Sequence, residues 1–146
     1  MKSKKTAAKK TKRYEGFTSE EKSAMASRVQ EMKGDKANTE SEVLAKIAEM
    51  TPADRAMANR VHAIVKASAP NLEAKLWYGM PAYAKNGKIV CHFQPAQKFK
   101  TRYAMVAFQD AAHLDDGGIW PVAYALGQLT AAEEARLGAL VKTAVS

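Results

Sequence analysis

The centre of the chain reads Leu76-Trp77-Tyr78-Gly79-Met80-Pro81-Ala82-Tyr83 and is followed closely by Asn86-Gly87. Residues 72–78 alternate with a period of two, which is typical of a β-strand with one buried face. Asn-Gly between two extended runs is a strong signal for a type I′ hairpin turn, because both central residues need a positive φ. The sequence therefore predicts a sheet that begins here, with a strand broken at Gly79-Met80-Pro81 and a hairpin closed at Asn86-Gly87.

A two-residue loop also sets the register of this hairpin. The expected pairs are Lys85 with Lys88, Ala84 with Ile89, Tyr83 with Val90, and Ala82 with Cys91. This register predicts a core face made of Met80, Ala82, Ala84, Ile89, Cys91 and Phe93. The opposite face would carry Tyr83, Lys85, Lys88, Val90 and His92.

Helical periodicity surrounds the predicted sheet. A capping-box pattern opens a first helix at Thr18, a second at Thr39 and a last one at Thr130, each with Glu three residues on. A third helix opens at Thr51-Pro52 and stops before Pro70. The second helix is expected to bury Val43, Leu44, Ile47 and Met50, and the third Met57, Val61, Ile64 and Val65.

Further strands follow the hairpin. Residues 101–108 are apolar on both faces, which favours a central strand. Residues 110–115 are expected to form a short helix, and 119–126 a last strand that Pro121 places at a sheet edge. The order of elements predicts an α+β fold, with helices packed on an antiparallel sheet and a closing C-terminal helix. We expect a basic disordered tail at 1–13, a helical appendage and linker at 14–38, and one α+β domain at 39–146.

Composition excludes several classes of protein. The 146 residues are 47% hydrophobic and 26% charged, as in soluble globular proteins. No apolar run approaches the roughly 18 residues of a membrane span, and the N-terminus lacks the apolar stretch of a secretory signal. The single cysteine, Cys91, cannot form an internal disulfide and is expected in the core. We expect a cytoplasmic protein with no membrane partner.

The positive charge is concentrated at the N-terminus. The formal net charge is +8, and residues 1–13 carry seven Lys or Arg and no acid, which leaves the rest of the chain at +1. Such a segment favours non-specific binding of nucleic acid by phosphate neutralisation, or else serves only as a solubilising tail. The residues that would contact nucleic acid are Lys4, Lys5, Lys9, Lys10, Lys12 and Arg13.

The central stretch, the hairpin, Phe93, Lys98 and the strand that follows resemble the YdhG-like family (domain of unknown function 1801). The resemblance runs from about residue 40 to the C-terminus and rests on an aromatic-Gly-Met-Pro-x-Tyr turn, a hairpin and a Lys before a strand. It implies a small α+β domain, usually without an assigned activity. Some members are described as frataxin-like iron chaperones, so iron is a cofactor or cargo that the resemblance alone implies.

The aromatic turn is the strongest candidate for a binding site. Aromatic rings with one cation around a concave turn suit a small anionic or planar ligand. The alternative is that Trp77 and Tyr83 pack under a helix and that Lys98 is a solvated loop charge. The ligand-binding residues of this hypothesis are Trp77, Gly79, Met80, Pro81, Tyr83, His92 and Lys98.

No residue set reaches the standard of a catalytic signature. His113, Asp115 and Asp116 form the best constellation for a hard metal, although Asp-Asp-Gly-Gly is more often a solvated turn. We therefore expect a non-enzymatic module that binds a small ligand or a protein. The alternatives are an iron chaperone and a protein associated with nucleic acid through its tail.

Overall fold

The computed structural model describes residues 19–25 and 39–146. The expectations for the basic tail, and for most of the appendage and linker at 14–38, lie outside these residues. Residues 19–25 are helical. The remaining elements are α1 (Thr39–Ala48), α2 (Pro52–Ser68), β1 (Glu73–Trp77), β2 (Met80–Lys85), β3 (Lys88–Gln94), α3 (Ala96–Phe99), β4 (Ala104–Phe108), β5 (Ala123–Leu126) and α4 (Ala131–Val145).

The five strands form one antiparallel sheet in the order β1-β2-β3-β4-β5. Helices α1, α2 and α4 supply the apolar side chains that pack on this sheet, so the α+β fold expected from the sequence is confirmed. No helix among residues 19–25 and 39–146 has both the length and the apolar character needed to cross a bilayer.

Two tight turns join the first three strands. Asn86 and Gly87 have φ of 52° and 80°, as the predicted type I′ hairpin requires. Tyr78 and Gly79 have φ of 52° and 77° and form a second turn of the same kind, which brings Trp77 opposite Met80. The sequence analysis treated Gly79 and the next two residues as a break in the strand. In fact the chain reverses at Tyr78-Gly79 and β2 starts immediately at Met80, because Gly supplies the second positive φ at no steric cost.

The predicted register of the second hairpin is wrong beyond its first two pairs. Lys85 pairs with Lys88 and Ala84 with Ile89, but the register then shifts between Tyr83 and Ala84. Tyr83 pairs with Cys91, and Val90 is the extra residue of a β-bulge. The carbonyl oxygen of Val90 accepts a hydrogen bond from the N–H of Gln109 (2.8 Å) and so gains a partner outside the hairpin.

The bulge reverses the predicted faces of β2. Tyr83 is 1% exposed and belongs to the core beneath the helices, where the prediction had placed Ala82. Ala82 pairs with His92 and lies on the opposite face, although it too is fully buried. The helix-facing side of the sheet carries Ala74, Tyr83, Val90, Cys91, Phe93, Val106 and Phe108.

The helices contribute the other half of this core. Its largest fully buried members are Val43 and Ile47 of α1, Val61 and Val65 of α2, and Val141 of α4. The four side chains of α1 and α2 recur at helical spacing and were expected from the sequence. Leu44 is an exception, because it is 45% exposed although the sequence analysis placed it in the apolar face of α1.

The connection from β4 to β5 contains no helix, so the short helix expected at 110–115 is wrong. Ala112 and Leu114 both enter the core, and this spacing of two needs a more extended backbone than a helix offers. The N–H of His113 donates to the carbonyl of Ala144, which ties the connection to the end of α4 (2.9 Å). The last strand is shorter than expected, but it lies at a sheet edge as Pro121 indicated.

Helix α4 begins with the predicted capping box. The N–H of Thr130 donates to Glu133 Oε1 (3.4 Å), and its hydroxyl donates to Glu133 Oε2 (2.7 Å). These bonds lower the pKa of Glu133, because they stabilise its charged form.

We expect Gly87→Ala to destabilise the fold by about 1–2 kcal/mol, because alanine at this positive φ brings its Cβ against the backbone. Apart from residue 87 itself and its two chain neighbours, a Cβ at Gly87 would meet no atom within 4 Å, so the cost comes from the local backbone conformation rather than from packing. Gly118→Ala is the matched control, since this site is equally open and has no left-handed φ. Urea unfolding checks both variants. Equal effects of the two substitutions would contradict the assignment of the turn.

Candidate functional site

A pocket of about 300 Å³ lies at the end of the sheet where β1 turns into β2. Three regions of the chain meet there: the junction of α1 and α2, the turn at Gly79, and the segment from Pro95 to Lys98. Ser23 of the helical segment 19–25 completes the wall. Gly79 and Lys98, two of the predicted site residues, therefore come together in one concave site.

Asp54 connects the helix layer to this end of the sheet. It lies in the first turn of α2, is 6% exposed, and accepts hydrogen bonds from the backbone N–H groups of Ala96 (3.1 Å) and Gln97 (2.8 Å). The short helix α3 starts after Pro95, whose side chain offers no capping acceptor, so Asp54 caps α3 from another element. The hydroxyl of Thr51 also lies 3.4 Å from Asp54 Oδ2.

The sequence carries only a weak signal for this role of Asp54, because nothing near Asp54 in the sequence indicates which amides it will meet. The one indication is Pro95, because a helix that begins after a residue without a capping side chain needs an acceptor from elsewhere.

The pocket also carries two lysines and a second acid. Lys46 Nζ lies 3.8 Å from Glu49 Oε1 in an ion pair within α1 and its C-terminal turn. Lys98 Nζ lies 5.6 Å from the centroid of the Phe99 ring. Beside the pocket, Lys100 pairs with Glu20 at 3.4 Å and so joins the segment 19–25 to the chain after α3.

The aromatic residues of the predicted site lie elsewhere. The ring centroids of Trp77 and His92 are 5.0 Å apart, and the ring of Trp77 makes an edge contact with Tyr78 at the same centroid distance. Register places Trp77, Met80 and His92 on the face of the sheet opposite the helix-packed core. These residues form a small aromatic cluster that does not line the pocket.

His92 is a neutral hydrogen-bonding residue of this cluster. It is 7% exposed, and burial lowers its pKa to about 4. The side-chain amide of Gln109 lies 2.9 Å from Nδ1, and donation by this amide places the proton of the neutral ring on Nε2. At neutral pH the ring therefore provides no cation for an anionic ligand.

Tyr83 and Pro81 belong to the core rather than to a binding surface, and both are fully buried. The hydroxyl of Tyr83 lies 2.9 Å from His62 Nδ1, and His62 Nε2 lies 3.0 Å from Glu40 Oε2. Lys66 donates to the other oxygen of Glu40 (3.2 Å). Sequence reasoning missed this chain of contacts, because it spans β2, α2 and α1 and the sequence places His62 only next to an apolar helix face.

The order carboxylate, imidazole, hydroxyl is that of a nucleophilic triad, but the burial of Tyr83 removes its hydroxyl from any substrate. Burial also raises the pKa of Tyr83, so the phenol stays protonated. The hydrogen bonds from Lys66 and His62 lower the pKa of Glu40. This series of contacts thus gives the buried phenol of Tyr83 a hydrogen-bond partner and connects the sheet to both helices.

Two further candidates from the sequence are Cys91 and the metal site at His113, Asp115 and Asp116. Cys91 is buried as expected, and burial raises the pKa of its thiol to about 12, so it is not a thiolate nucleophile at neutral pH. His113 Nδ1 lies 2.8 Å from the carbonyl of Ser146, and Asp115 and Asp116 are exposed. Within 19–25 and 39–146, no three His, Cys, Asp or Glu residues converge on a point that could hold a metal ion. The lysines and arginine proposed to contact nucleic acid, residues 4–13, lie outside the described residues.

No protein-family model, curated protein or solved structure matches this chain. The resemblance to the YdhG-like family stays a prediction.

We expect Asp54→Ala to destabilise the protein by roughly 2–4 kcal/mol, because it leaves two amides without their charged acceptor. Asp54→Asn keeps one carbonyl acceptor and should cost less. Glu49→Gln is the control, since Glu49 is an acid of the same pocket whose only described ion pair, with Lys46, is exposed. Hydrogen exchange at the amides of Ala96 and Gln97, with urea unfolding, measures the effect. Unchanged exchange at both amides in Asp54→Ala would contradict the capping role.

The low pKa of His92 predicts a loss of stability in acid. A histidine whose pKa is lower in the folded chain is protonated first in the unfolded chain, so its contribution is complete above about pH 6.5 and is lost as the pH falls toward about 4. We expect this group to remove roughly 2–3 kcal/mol between pH 7 and pH 4.5. Urea unfolding at both pH values should show that His92→Gln lacks this part of the pH dependence and that His113→Gln, at an exposed histidine, retains it.

Proposed function

We propose that the protein is a non-enzymatic binding module that holds a small anion, carrying phosphate or carboxylate groups, in the pocket beside Gly79. One observation carries this proposal: Lys46, Lys98 and the first turn of α2 all line the same cavity of about 300 Å³. This volume lies at the lower end of the range of small-molecule sites, which favours a ligand smaller than a dinucleotide.

The first turn of α2 supports binding of an anion. Thr51 has an extended backbone and precedes Pro52, but its side chain does not cap the backbone of the helix. Its hydroxyl is directed to Asp54 instead. The helix is 17 residues long, so its N-terminus carries the positive end of a full macrodipole toward the pocket.

The two acids of the pocket do not cancel this attraction. The carboxylate of Asp54 is occupied by the amides of Ala96 and Gln97, so its charge is already compensated by hydrogen bonds. Within residues 19–25 and 39–146, Glu49 makes a single ion pair, the long and exposed one with Lys46, and an anion in the pocket can replace Glu49 as the partner of that lysine.

The chemistry of the lining favours binding over catalysis. The described wall of the pocket contains no His or Cys. The histidine and cysteine of the sheet, His92 and Cys91, are buried elsewhere with a neutral ring and a protonated thiol. The iron-chaperone and nucleic-acid alternatives stay predictions from resemblance and from the tail, and no described contact favours either.

Titration of the full chain with pyrophosphate, followed by ¹H–¹⁵N NMR, tests the proposal. We expect saturable shifts confined to the amides of Thr51, Ala53, Asp54, Gly79, Gln97 and Lys98. Lys98→Gln should weaken binding at least fivefold, because it removes a cation from the site. Lys142→Gln, at an exposed lysine of α4 outside the pocket, is the matched control and should bind as the unmodified chain does.

Two results would contradict the proposal. One is the absence of saturation by pyrophosphate and also by citrate, which carries carboxylates in place of phosphates. The other is binding that Lys98→Gln and Lys142→Gln weaken equally, because this would indicate general attraction to a basic protein rather than a site at the pocket.

A further inference from the structure

The strand β5 is an edge strand whose outer backbone groups have no neighbouring strand among the described residues. Antiparallel pairs alternate between hydrogen-bonded and non-hydrogen-bonded types. The N–H of Phe108 donates to the carbonyl of Val122, and in the register of β4 and β5 the next hydrogen-bonded pair is Val106 with Tyr124. The N–H and C=O groups of Ala123 and Ala125 therefore point away from β4, toward the open edge.

The two edges of the sheet differ in their protection. The strand β1 carries Glu73 and Lys75 and is packed against α1. The strand β5 reads Ala-Tyr-Ala-Leu and has no charged side chain, although charges are a common means of blocking an edge. An open, uncharged edge is a template for pairing with another strand.

Apolar side chains project beside this edge. Ile119 is 88% exposed and lies four residues before β5, and Val122, which directly precedes the strand, is 44% exposed. A cleft of about 240 Å³ lies between β5 and α4 and extends from Tyr124 past the C-terminal end of the strand to Leu129. Leu129, Leu137 and Leu140 contribute apolar lining to this cleft, and Arg136 lies over the ring of Tyr124 (5.8 Å).

We propose that this edge is an interface between two copies of the chain, joined by antiparallel pairing of β5 with β5 about a two-fold axis at Tyr124. In this arrangement Ala123 pairs with Ala125 of the partner subunit and exchanges two backbone hydrogen bonds with it. The two-fold axis also brings the segment that carries Ile119 toward the end of β5 in the partner subunit, where residues 127–129 line the partner's cleft. The two-fold axis repeats this contact at the other end.

Self-complementarity is the reason to assign a second copy rather than an unrelated peptide. The projecting residue and the cleft lie at opposite ends of one strand, and an antiparallel two-fold axis brings each to the other. This is the defining property of an isologous interface. A foreign peptide would fill the cleft but would leave Ile119 exposed.

The size of the contact fits a reversible dimer. Only Ala123–Leu126 of this segment is strand, so the extended length of residues 119–129, roughly 35 Å, is an upper limit, and the sheet and helix layers together are about 20 Å thick. The resulting strip is at most about 700 Å² per subunit, which is below the roughly 800 Å² per partner of a standard stable interface. The strip lies at the opposite edge of the sheet from β1 and its turn at Gly79, so pairing leaves the pocket open.

Sedimentation equilibrium on the full chain, from micromolar to near-millimolar concentration, tests the proposal. We expect a reversible dimer with twice the 15.9 kDa mass of the chain. Ile119→Asp should weaken dimerisation at least tenfold, since the side chain is exposed in the monomer and its replacement leaves the core intact. Ala125→Pro should do the same by removing an outward N–H, because proline is tolerated at such an edge position.

Leu44→Asp is the matched control, because Leu44 is an exposed apolar residue (45%) of α1 that lies outside the interface. It should dimerise like the unmodified chain, with circular dichroism confirming that all variants fold. A chain that is monomeric throughout this concentration range would overturn the proposal. So would a dimer that Ile119→Asp leaves unchanged, because the interface would then lie elsewhere.

Discussion

One extra residue in β3 decides which side chains of the sheet face the helices. The shift between Tyr83 and Ala84 moves Tyr83 beneath α2 and leaves His92 on the other side with Trp77. Since side chains alternate with a period of two, a register shift of one residue exchanges the faces of everything beyond it. The contacts of Tyr83 with His62, and through it with Glu40, exist only because of this shift.

The bulge secures the sheet against the helices, and Asp54 secures the end of the sheet that forms the pocket. A buried carboxylate is stable only when hydrogen bonds or charges compensate it, and here two backbone amides of another element do so. The same contact fixes the start of α3 and with it the backbone that carries Lys98. The walls of the pocket are therefore held together by a tertiary hydrogen bond between two of its own lining residues, Asp54 and Gln97.

Sequence analysis succeeded where the controlling interactions are local. The turn at Asn86-Gly87 and the cap of Thr130 by Glu133 each depend on residues within three positions, and both formed as expected. The bulge depends on packing across the sheet, and the capping of α3 by Asp54 joins residues more than 40 positions apart, so neither has a local signature. The predicted site falls into two parts for the same reason. Gly79 and Lys98 line the pocket. The positions of the aromatic residues depend instead on a strand register that the hairpin sequence alone does not determine.

The arrangement of the sheet separates ligand binding from self-association. The pocket is built from the turn at Gly79, the segment from Pro95 to Lys98 and the junction of α1 and α2, while the open edge is β5 beside α4. Between them lie β2, β3 and β4, which are joined by continuous ladders and buried on the helix-facing side. Coupling between two sites requires an element with two arrangements that both sites bias, and a continuous, packed ladder is a poor candidate for such an element. The two sites should therefore act independently, so that dimerisation would present two pockets at the far edges of one continuous sheet without changing the affinity of either.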